Sequence, residues 1–210
     1  MIGILGGTFD PVHFGHLRPA LDMRQALELE ELRLVPCRQP PHRAQPYATP
    51  EQRLTMLQLA TRGEPGLSID ERELRRAGPS YMVDTLLSLR AELGADCSFA
   101  LLIGMDALHG LASWHRWREL VDLCHIVVAT RPGWRAPQSG AVAELVRERR
   151  VEDAASLRAC AAGKLMLCPV TLMDVSASRI RALLAAGESP RYLLPDEVLE
   201  YIHMTDLYQK

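Results

Sequence analysis

The chain has little net charge and no long hydrophobic run. Its 24 lysines and arginines nearly balance its 26 aspartates and glutamates, so we expect neither nucleic acid nor an acidic membrane as a partner. No segment approaches the roughly 18 consecutive apolar residues of a membrane helix. The first apolar run follows no basic leader and is interrupted by Asp10, which argues against a signal peptide.

Cysteine is present in a pattern that excludes two common uses. The five cysteines are odd in number and scattered, with no Cys-x-x-Cys pair, so they form neither a disulfide framework nor a zinc-ligand set. We therefore expect reduced thiols in a cytoplasmic protein. The five are Cys37, Cys97, Cys124, Cys160 and Cys168.

Two familiar nucleotide-binding patterns are also missing. The glycines near the N-terminus do not have the Gly-x-Gly-x-x-Gly spacing, and no Gly-Lys-Ser/Thr follows a glycine-rich loop. There is no internal repeat, low-complexity tract or obvious linker. A single domain over residues 1–210 is predicted, with 171–210 as a helical C-terminal subdomain.

What is present is an alternation of short apolar runs with segments of helical periodicity, in a chain that is 48% hydrophobic. This alternation predicts an α/β fold with a doubly wound, mostly parallel sheet. We expect residues 136–163, rich in Ala, Arg and Glu, to be helical, peripheral and dispensable to the chemistry. The predicted strands are 2–5, 31–36, 67–70, 98–103, 125–130 and 164–168.

The first predicted strand runs into an unusual turn. Gly6 and Gly7 lack Cβ atoms, so a ligand can approach the backbone closely there, and the N–H groups at the start of the next helix favour an anion. His13 and His16, three residues apart, fall on one side of that helix. The combination predicts a phosphate site beneath two imidazoles. The alternative is a simple tight turn followed by surface histidines.

Polar residues also follow the other predicted strands. In a parallel sheet the carboxyl ends of the strands form one edge, where ligands bind. His42 and Arg43 follow the second strand, Gly104 and Asp106 the central one, and Arg131 the next. Asp106 is suited to bind ribose hydroxyls, with Gly104 making room, although an aspartate here is equally suited to cap a helix.

Residues 175–181 form a second dense segment. Ser176 and Ser178 can cap a helix and leave N–H groups open to an anion, and Arg179 or Arg181 can bind phosphate bidentately. An ordinary serine-capped helix with solvated arginines is the alternative. Because no nucleophile lies beside a base and no carboxylates are paired, we expect catalysis of phosphoryl type by positioning and charge stabilisation.

These segments carry a resemblance. Gly-Gly-Thr-Phe-Asp-Pro at 6–11, continuing to His-Phe-Gly-His at 13–16, resembles the signature of the nucleotidylyltransferase superfamily. Residues 175–181 resemble its second signature, Ile-Ser-Ser-Thr-x-Ile-Arg, with Val, Ala and Ser in place of Ile, Ser and Thr. Ser178 keeps the hydroxyl of the threonine that it replaces.

Within that superfamily the chain is similar to the bacterial nicotinate mononucleotide adenylyltransferases over nearly its whole length, except at 136–163. Arg43 stands where Lys is commoner. The further matching pieces are Pro40-Pro41-His42-Arg43, Ser80-Tyr81, Asp84-Thr85-Leu86, Ile103-Gly104-x-Asp106, Trp114 and Arg131-Pro132-Gly133.

The resemblance implies a reaction of ATP with nicotinate mononucleotide that gives nicotinate adenine dinucleotide and pyrophosphate. It implies Mg²⁺ held through the ATP phosphates, with no protein metal site. His13, His16 and Arg181 would be catalytic. ATP would be bound by Gly6, Gly7, Thr8, Phe9, Gly104, Asp106, Ser176 and Ser178. The mononucleotide would be bound by His42, Arg43, Tyr81, Thr85, Trp114 and Arg131.

Three alternatives stay open at this point. The same ATP chemistry can serve nicotinamide mononucleotide or phosphopantetheine as the acceptor. The fold can also belong to a non-catalytic nucleotide-binding domain. Trp114, expected to stack on the pyridine ring, can instead be a core residue, and His42 with Arg43 can be a solvated loop. Association into a homo-oligomer is left undecided by the sequence.

Overall fold

A computed structural model describes residues 1–41, 45–130, 133–171 and 173–209. Within these residues seven parallel strands form one sheet with helices on both faces, which confirms the predicted fold class. The strands are β1 (Ile2–Gly7), β2 (Glu31–Pro36), β3 (Leu67–Ile69), β4 (Phe99–Gly104), β5 (His125–Thr130), β6 (Arg150–Val151) and β7 (Leu165–Pro169). The helices are α1 (Phe14–Ala26), α2 (Pro50–Thr61), α3 (Arg72–Arg75), α4 (Met82–Leu93), α5 (Met105–His109), α6 (Trp117–Leu123), α7 (Ala141–Arg149), α8 (Ala154–Arg158), α9 (Ala177–Ala185) and α10 (Asp196–Met204).

The order of strands across the sheet is β3-β2-β1-β4-β5-β7-β6. The chain therefore moves outward from β1 in one direction through β2 and β3, and in the other through β4 and β5. Because connections diverge to either side at β1 and β4, a crevice opens beyond the carboxyl ends of these two strands. Gly6 and Gly7 do not form the predicted turn, because β1 continues through both and pairs them with Val35 and Pro36 of β2. As the last residues of β1 they lie at that edge, as does Gly104 at the end of β4.

Alternate residues of the central strands feed two separate hydrophobic cores, as a sheet covered on both faces requires. In β4, Ala100 and Leu102 face the cluster shared with α1 and α2, whereas Phe99, Leu101 and Ile103 face the cluster shared with α4 and α6. Because both faces of β4 are buried, its sequence is a continuous apolar run rather than an alternation of apolar and polar residues.

The segment 136–163 differs from the prediction of one peripheral helical stretch. It forms α7, the short strand β6 and α8, and β6 pairs with β7 through Arg150 opposite Leu165 and Val151 opposite Met166. Leu157 of α8 is fully buried in the core. The pairing is made by a strand of only two residues, which carries no periodicity of its own for a sequence pattern to reveal.

The C-terminal helices share a core with the first half of the chain. Ile180 of α9 and Ile202 of α10 belong to the same cluster as Leu17 of α1 and Met56 of α2. This packing brings the segment that begins at Val175 against the start of α1. No helix in the described ranges is long and apolar enough to cross a membrane.

Candidate active site

A cavity of about 430 Å³ lies at the carboxyl ends of β1 and β4. Its walls come from the turn after β1, the loop after β2, the start of α4 and the segment after β4. The residues that line it include Gly6, Gly7, Thr8, His16, Pro40, Pro41, Glu73, Tyr81, Asp106, Trp114 and His115. Several elements that are distant in sequence thus supply polar groups to one crevice.

His13 and His16 lie together at the start of α1. Their rings stack with centroids 3.8 Å apart, and the backbone N–H of His13 donates to Nδ1 of His16 at 3.3 Å. The rings of Phe9 and His16 form an edge-to-face contact, with their centroids 5.1 Å apart. The helix start therefore presents two imidazoles on one side, as their spacing predicts.

His13 is buried without a hydrogen-bond partner for one ring nitrogen. Only 5% of the residue is exposed, and within the described chain its Nδ1 has no partner. Burial lowers the pKa of His13 to about 4, so the imidazole is neutral at pH 7. A buried polar atom of this kind calls for a ligand or water, and a neutral ring offers one a hydrogen bond rather than a charge.

Gly15 explains the middle of the His-Phe-Gly-His motif. A Cβ atom built at Gly15 would lie 2.9 Å from Nδ1 of His13 and 3.0 Å from the carbonyl oxygen of Val175. Both approaches are closer than ordinary van der Waals contact, and one of them is to backbone that cannot rotate away. The first motif therefore packs against the second, and any side chain here would push them apart.

The second motif combines a helix cap with one arginine that turns back toward the first motif. Ser176 caps α9, since its hydroxyl accepts from the N–H of Arg179 at 3.2 Å, and Ser178 Oγ lies 3.1 Å from Ser176 Oγ. Arg179 is exposed. Arg181 donates from Nη1 to the carbonyl oxygen of Asp10 at 2.5 Å, so of the two candidate arginines it is Arg181 that contacts the first motif.

One buried arginine was missed at the sequence level. Arg53 of α2 is fully buried and donates from Nη1 to the carbonyl oxygen of Thr8 at 2.7 Å, which fixes the start of the loop after β1. A signal was present, because Arg53 precedes the buried Met56 and Leu57 by three and four residues. Helical periodicity places it on the inner face of α2.

The family of the chain follows from sequence comparison. A family model described as cytidylyltransferase-like matches residues 4–183. A protein of Aeromonas hydrophila named a probable nicotinate-nucleotide adenylyltransferase is 51% identical over 99% of this chain and 97% of its own length. One of the same name from Methylococcus capsulatus is 50% identical over 100% of both chains. The chain belongs to the cytidylyltransferase-like family and shares a family with these nicotinate-nucleotide adenylyltransferases.

Solved structures agree on the fold. Plasmodium falciparum nicotinic acid mononucleotide adenylyltransferase, in complex with NaAD, superposes with a TM-score of 0.73 at 18% identity, covering 99% of this chain and 96% of the other. The same Plasmodium enzyme in complex with APC superposes with a TM-score of 0.72 at 17% identity, with the same coverage. At such low identity the likeness establishes the architecture alone.

Aromatic rings form part of the cavity wall. Tyr81 and Trp114 both line it, and Trp114 is half-buried against the core cluster of α4 and α6, so it is at once a wall of the cavity and part of the packing. The ring centroids of Tyr81 and His115 lie 4.3 Å apart. No sequence motif singles out His115, which also lines the cavity, because its ring partner Tyr81 is distant in sequence.

Thr85 lies behind this wall rather than at its surface. It is fully buried in α4, and its hydroxyl donates to Oε1 of Glu73 at 2.5 Å. Glu73, a residue that sequence reasoning overlooked, lines the cavity in its place, and burial raises the pKa of its carboxyl group. A direct contact of Thr85 with an acceptor stays a prediction.

Asp106 is not a helix cap. It stands in the first turn of α5, whose N-cap residue is Gly104, and no side chain caps this helix. The Asp106 side chain lines the cavity and, among the described residues, has no hydrogen-bond partner. It is therefore available to a ligand.

His42, Arg43 and Arg131 lie outside the described residues, and their predicted contacts with the acceptor remain predictions.

Proposed function

We propose that the protein transfers the adenylyl group of ATP to nicotinate mononucleotide, releasing pyrophosphate and forming nicotinate adenine dinucleotide in NAD biosynthesis. The observation that carries this proposal is the contact between the two motifs, in which Arg181 donates to the backbone carbonyl of Asp10, three residues before the first of the two stacked imidazoles. The names of the two relatives with about half of their residues identical support the same activity.

The reaction is an in-line displacement at phosphorus. A phosphate oxygen of the mononucleotide forms a bond to the α-phosphorus of ATP, and the bond from that phosphorus to the bridging oxygen of pyrophosphate breaks. Negative charge accumulates on the leaving pyrophosphate. Fixed donors placed where this charge develops stabilise the transition state without reorganising.

Two kinds of donor serve that purpose in this chain. Neutral His13 and its stacked neighbour His16 provide N–H groups, while Arg181 provides a permanent positive charge. The N–H groups at the start of α9, near Ser176 and Ser178, add further donors for the outer phosphates. Positioning and charge stabilisation are then sufficient, and no side chain has to act as a nucleophile.

The cavity wall carries groups that suit both nucleosides. Asp106, an exposed carboxylate on this wall, would accept hydrogen bonds from ribose hydroxyls of the adenosine. Tyr81 and Trp114 would offer aromatic faces to the pyridine ring. Aromatic stacking and one or two fixed polar groups are the usual means by which a pocket orients a flat base.

We further propose Mg²⁺ as the ion that accompanies ATP. Among the described residues no group of three or more His, Cys, Asp or Glu could hold a metal by itself, so phosphate oxygens and water would be the ligands, which this ion prefers. When bound, it would neutralise part of the charge on the leaving phosphates.

We also propose a cytoplasmic location, which ATP as a substrate and five free cysteines support.

Pyrophosphate release from ATP and Mg²⁺ tests the proposal against a panel of acceptors. We expect turnover with nicotinate mononucleotide, slower turnover with nicotinamide mononucleotide and none with phosphopantetheine. Comparable or faster turnover with the amide would overturn the acceptor assignment but leave adenylyl transfer intact. Binding of ATP without release of pyrophosphate with any acceptor would indicate a non-catalytic nucleotide-binding domain.

A further inference from the structure

Asp10 carries a buried carboxylate that the proposed chemistry does not use. Only 5% of the residue is exposed. Its Oδ2 accepts from the backbone N–H of Tyr47 at 2.8 Å, and its Oδ1 accepts from the backbone N–H of Ala48 at 3.1 Å. The carboxylate thus ties the turn after β1 to the loop that precedes α2, since a buried charge requires such donors.

A third donor comes from the far end of the chain. The hydroxyl of Tyr208, after the last helix, donates to Oδ1 of Asp10 at 2.6 Å. Burial raises the pKa of Tyr208, and the neighbouring carboxylate raises it further, so the hydroxyl keeps its proton at neutral pH. The C-terminal segment therefore ends on the turn that carries the first motif.

Arg181 meets the same aspartate on its other side. Nη1 donates to the Asp10 carbonyl oxygen but lies 4.0 Å from Oδ2 of the carboxylate, which is too long for a hydrogen bond. The guanidinium group also lies over the ring of Tyr47, 4.6 Å from its centroid. Its position is set by Asp10 directly and by Tyr47, whose backbone Asp10 holds.

We infer that Tyr208 is a positioning residue that keeps the charge of Arg181 available to phosphate. By occupying Oδ1, the Tyr208 hydroxyl holds the Asp10 carboxylate in an orientation that leaves Oδ2 in a long ion pair with Arg181, beyond hydrogen-bond distance. This inference rests on the proposed function, in which Arg181 binds the outer phosphates of ATP.

Loss of the Tyr208 hydroxyl is expected to change the interaction between the Asp10 carboxylate and Arg181. With one donor removed, the buried carboxylate would turn toward Arg181, the cation with which it already forms a long ion pair among the described residues. A direct, partly buried ion pair is strong enough to compete with a ligand phosphate for the same guanidinium. Tyr208 would then affect phosphate binding without touching the phosphate.

The test removes the hydroxyl of Tyr208 and keeps its ring. Tyr208→Phe is compared with Tyr192→Phe, a matched control at a residue of the same C-terminal region that is 79% exposed. The probe is inorganic tripolyphosphate, with its affinity measured by calorimetry, alongside KM for ATP, kcat and the thermal midpoint. We expect Tyr208→Phe to weaken tripolyphosphate binding about 10-fold and to raise KM for ATP, with the control unchanged.

A double-mutant cycle separates positioning from general support of the fold. If Tyr208 acts through Arg181, then Tyr208→Phe will weaken tripolyphosphate binding in the wild-type background and have no further effect in an Arg181→Ala background. An equal loss in both backgrounds would overturn the inference, as would a lower thermal midpoint with unchanged affinity.

The probe also keeps this inference distinct from the proposed function. Tripolyphosphate binding requires neither an acceptor nor adenylyl transfer. If the wild type binds tripolyphosphate but releases no pyrophosphate with any acceptor, the proposed function fails while the cycle still reports on Tyr208. If pyrophosphate is released normally and Tyr208→Phe changes neither affinity nor KM, only the role of Tyr208 fails.

Discussion

Gly15 lies against the backbone of Val175, so that the motif near the N-terminus and the motif near the C-terminus share a van der Waals surface. A Cβ at Gly15 would lie 3.0 Å from the Val175 carbonyl oxygen and 2.9 Å from the His13 ring. Two candidate phosphate-binding segments are thus held at a fixed separation. Their geometry is a property of packing rather than of either segment alone.

Gly15→Ala should therefore damage activity and stability together. The added methyl group must displace the His13 ring or the Val175 backbone, and overpacking of this kind costs roughly 1–3 kcal/mol. We expect a lower thermal midpoint and a kcat reduced at least 10-fold. Gly104→Ala is the control for stability, because its Cβ would meet nothing nearer than 3.6 Å. Equal thermal midpoints for the two variants would contradict the packing argument.

His16→Ala is expected to reduce kcat about 100-fold, since loss of one preorganised donor to a developing anion typically costs that much. Its stability should change little, because His16 lines the cavity rather than the core. Steady-state pyrophosphate release measures the first effect and thermal unfolding the second. The control is His203→Ala, an exposed residue of α10. A rate within a few-fold of wild type would remove His16 from the mechanism.

Burial of His13 predicts a defined loss of stability in acid. The unfolded chain takes up a proton at the ordinary histidine pKa of about 6.5, and the folded protein only near 4. Between these values the unfolded state binds more protons, so the free energy of unfolding falls as pH falls from 6.5 to 4, by about 3 kcal/mol from this residue. Below pH 4 His13 adds no further loss.

Urea unfolding at several pH values in that range measures the effect. His13→Gln removes the titrating group, so the difference in unfolding free energy between wild type and variant should change with pH only between 6.5 and 4. A constant difference across the range would show that His13 does not titrate as its burial requires.

Glu73 is expected to stabilise the wall of the predicted acceptor pocket through its hydrogen bond with Thr85. Glu73→Ala leaves the fully buried Thr85 hydroxyl without its 2.5 Å acceptor, at a cost of about 2 kcal/mol. Glu73→Gln keeps an oxygen there and should cost less. Glu71→Ala, which removes only a surface pair with Arg75, should cost under about 0.5 kcal/mol. Chemical denaturation compares the three, and equal costs for Glu73→Ala and Glu73→Gln would contradict the role of this hydrogen bond.

Much of the fold could be predicted because its signals are local. Runs of apolar residues define β4 and β5, and the start of α2 follows from its capping box, in which Thr49 and Gln52 bond each other's backbone N–H. Two-residue β6 could not be predicted, because its existence depends on pairing with β7 rather than on its own composition. Strand pairing is a contact between segments distant in sequence, and no local period encodes it.

The candidate site divides in the same way. The sequence by itself predicted the Gly6-Gly7 pair and the two histidines as candidates, because each belongs to a short motif with a fixed spacing, and the resemblance to the superfamily added Arg181. Only the tertiary structure decided that Glu73 stands in front of Thr85, that Arg53 supports Thr8, and that Tyr208 reaches Asp10. These contacts join residues far apart along the chain, so they exist only once the two hydrophobic cores have brought the segments together.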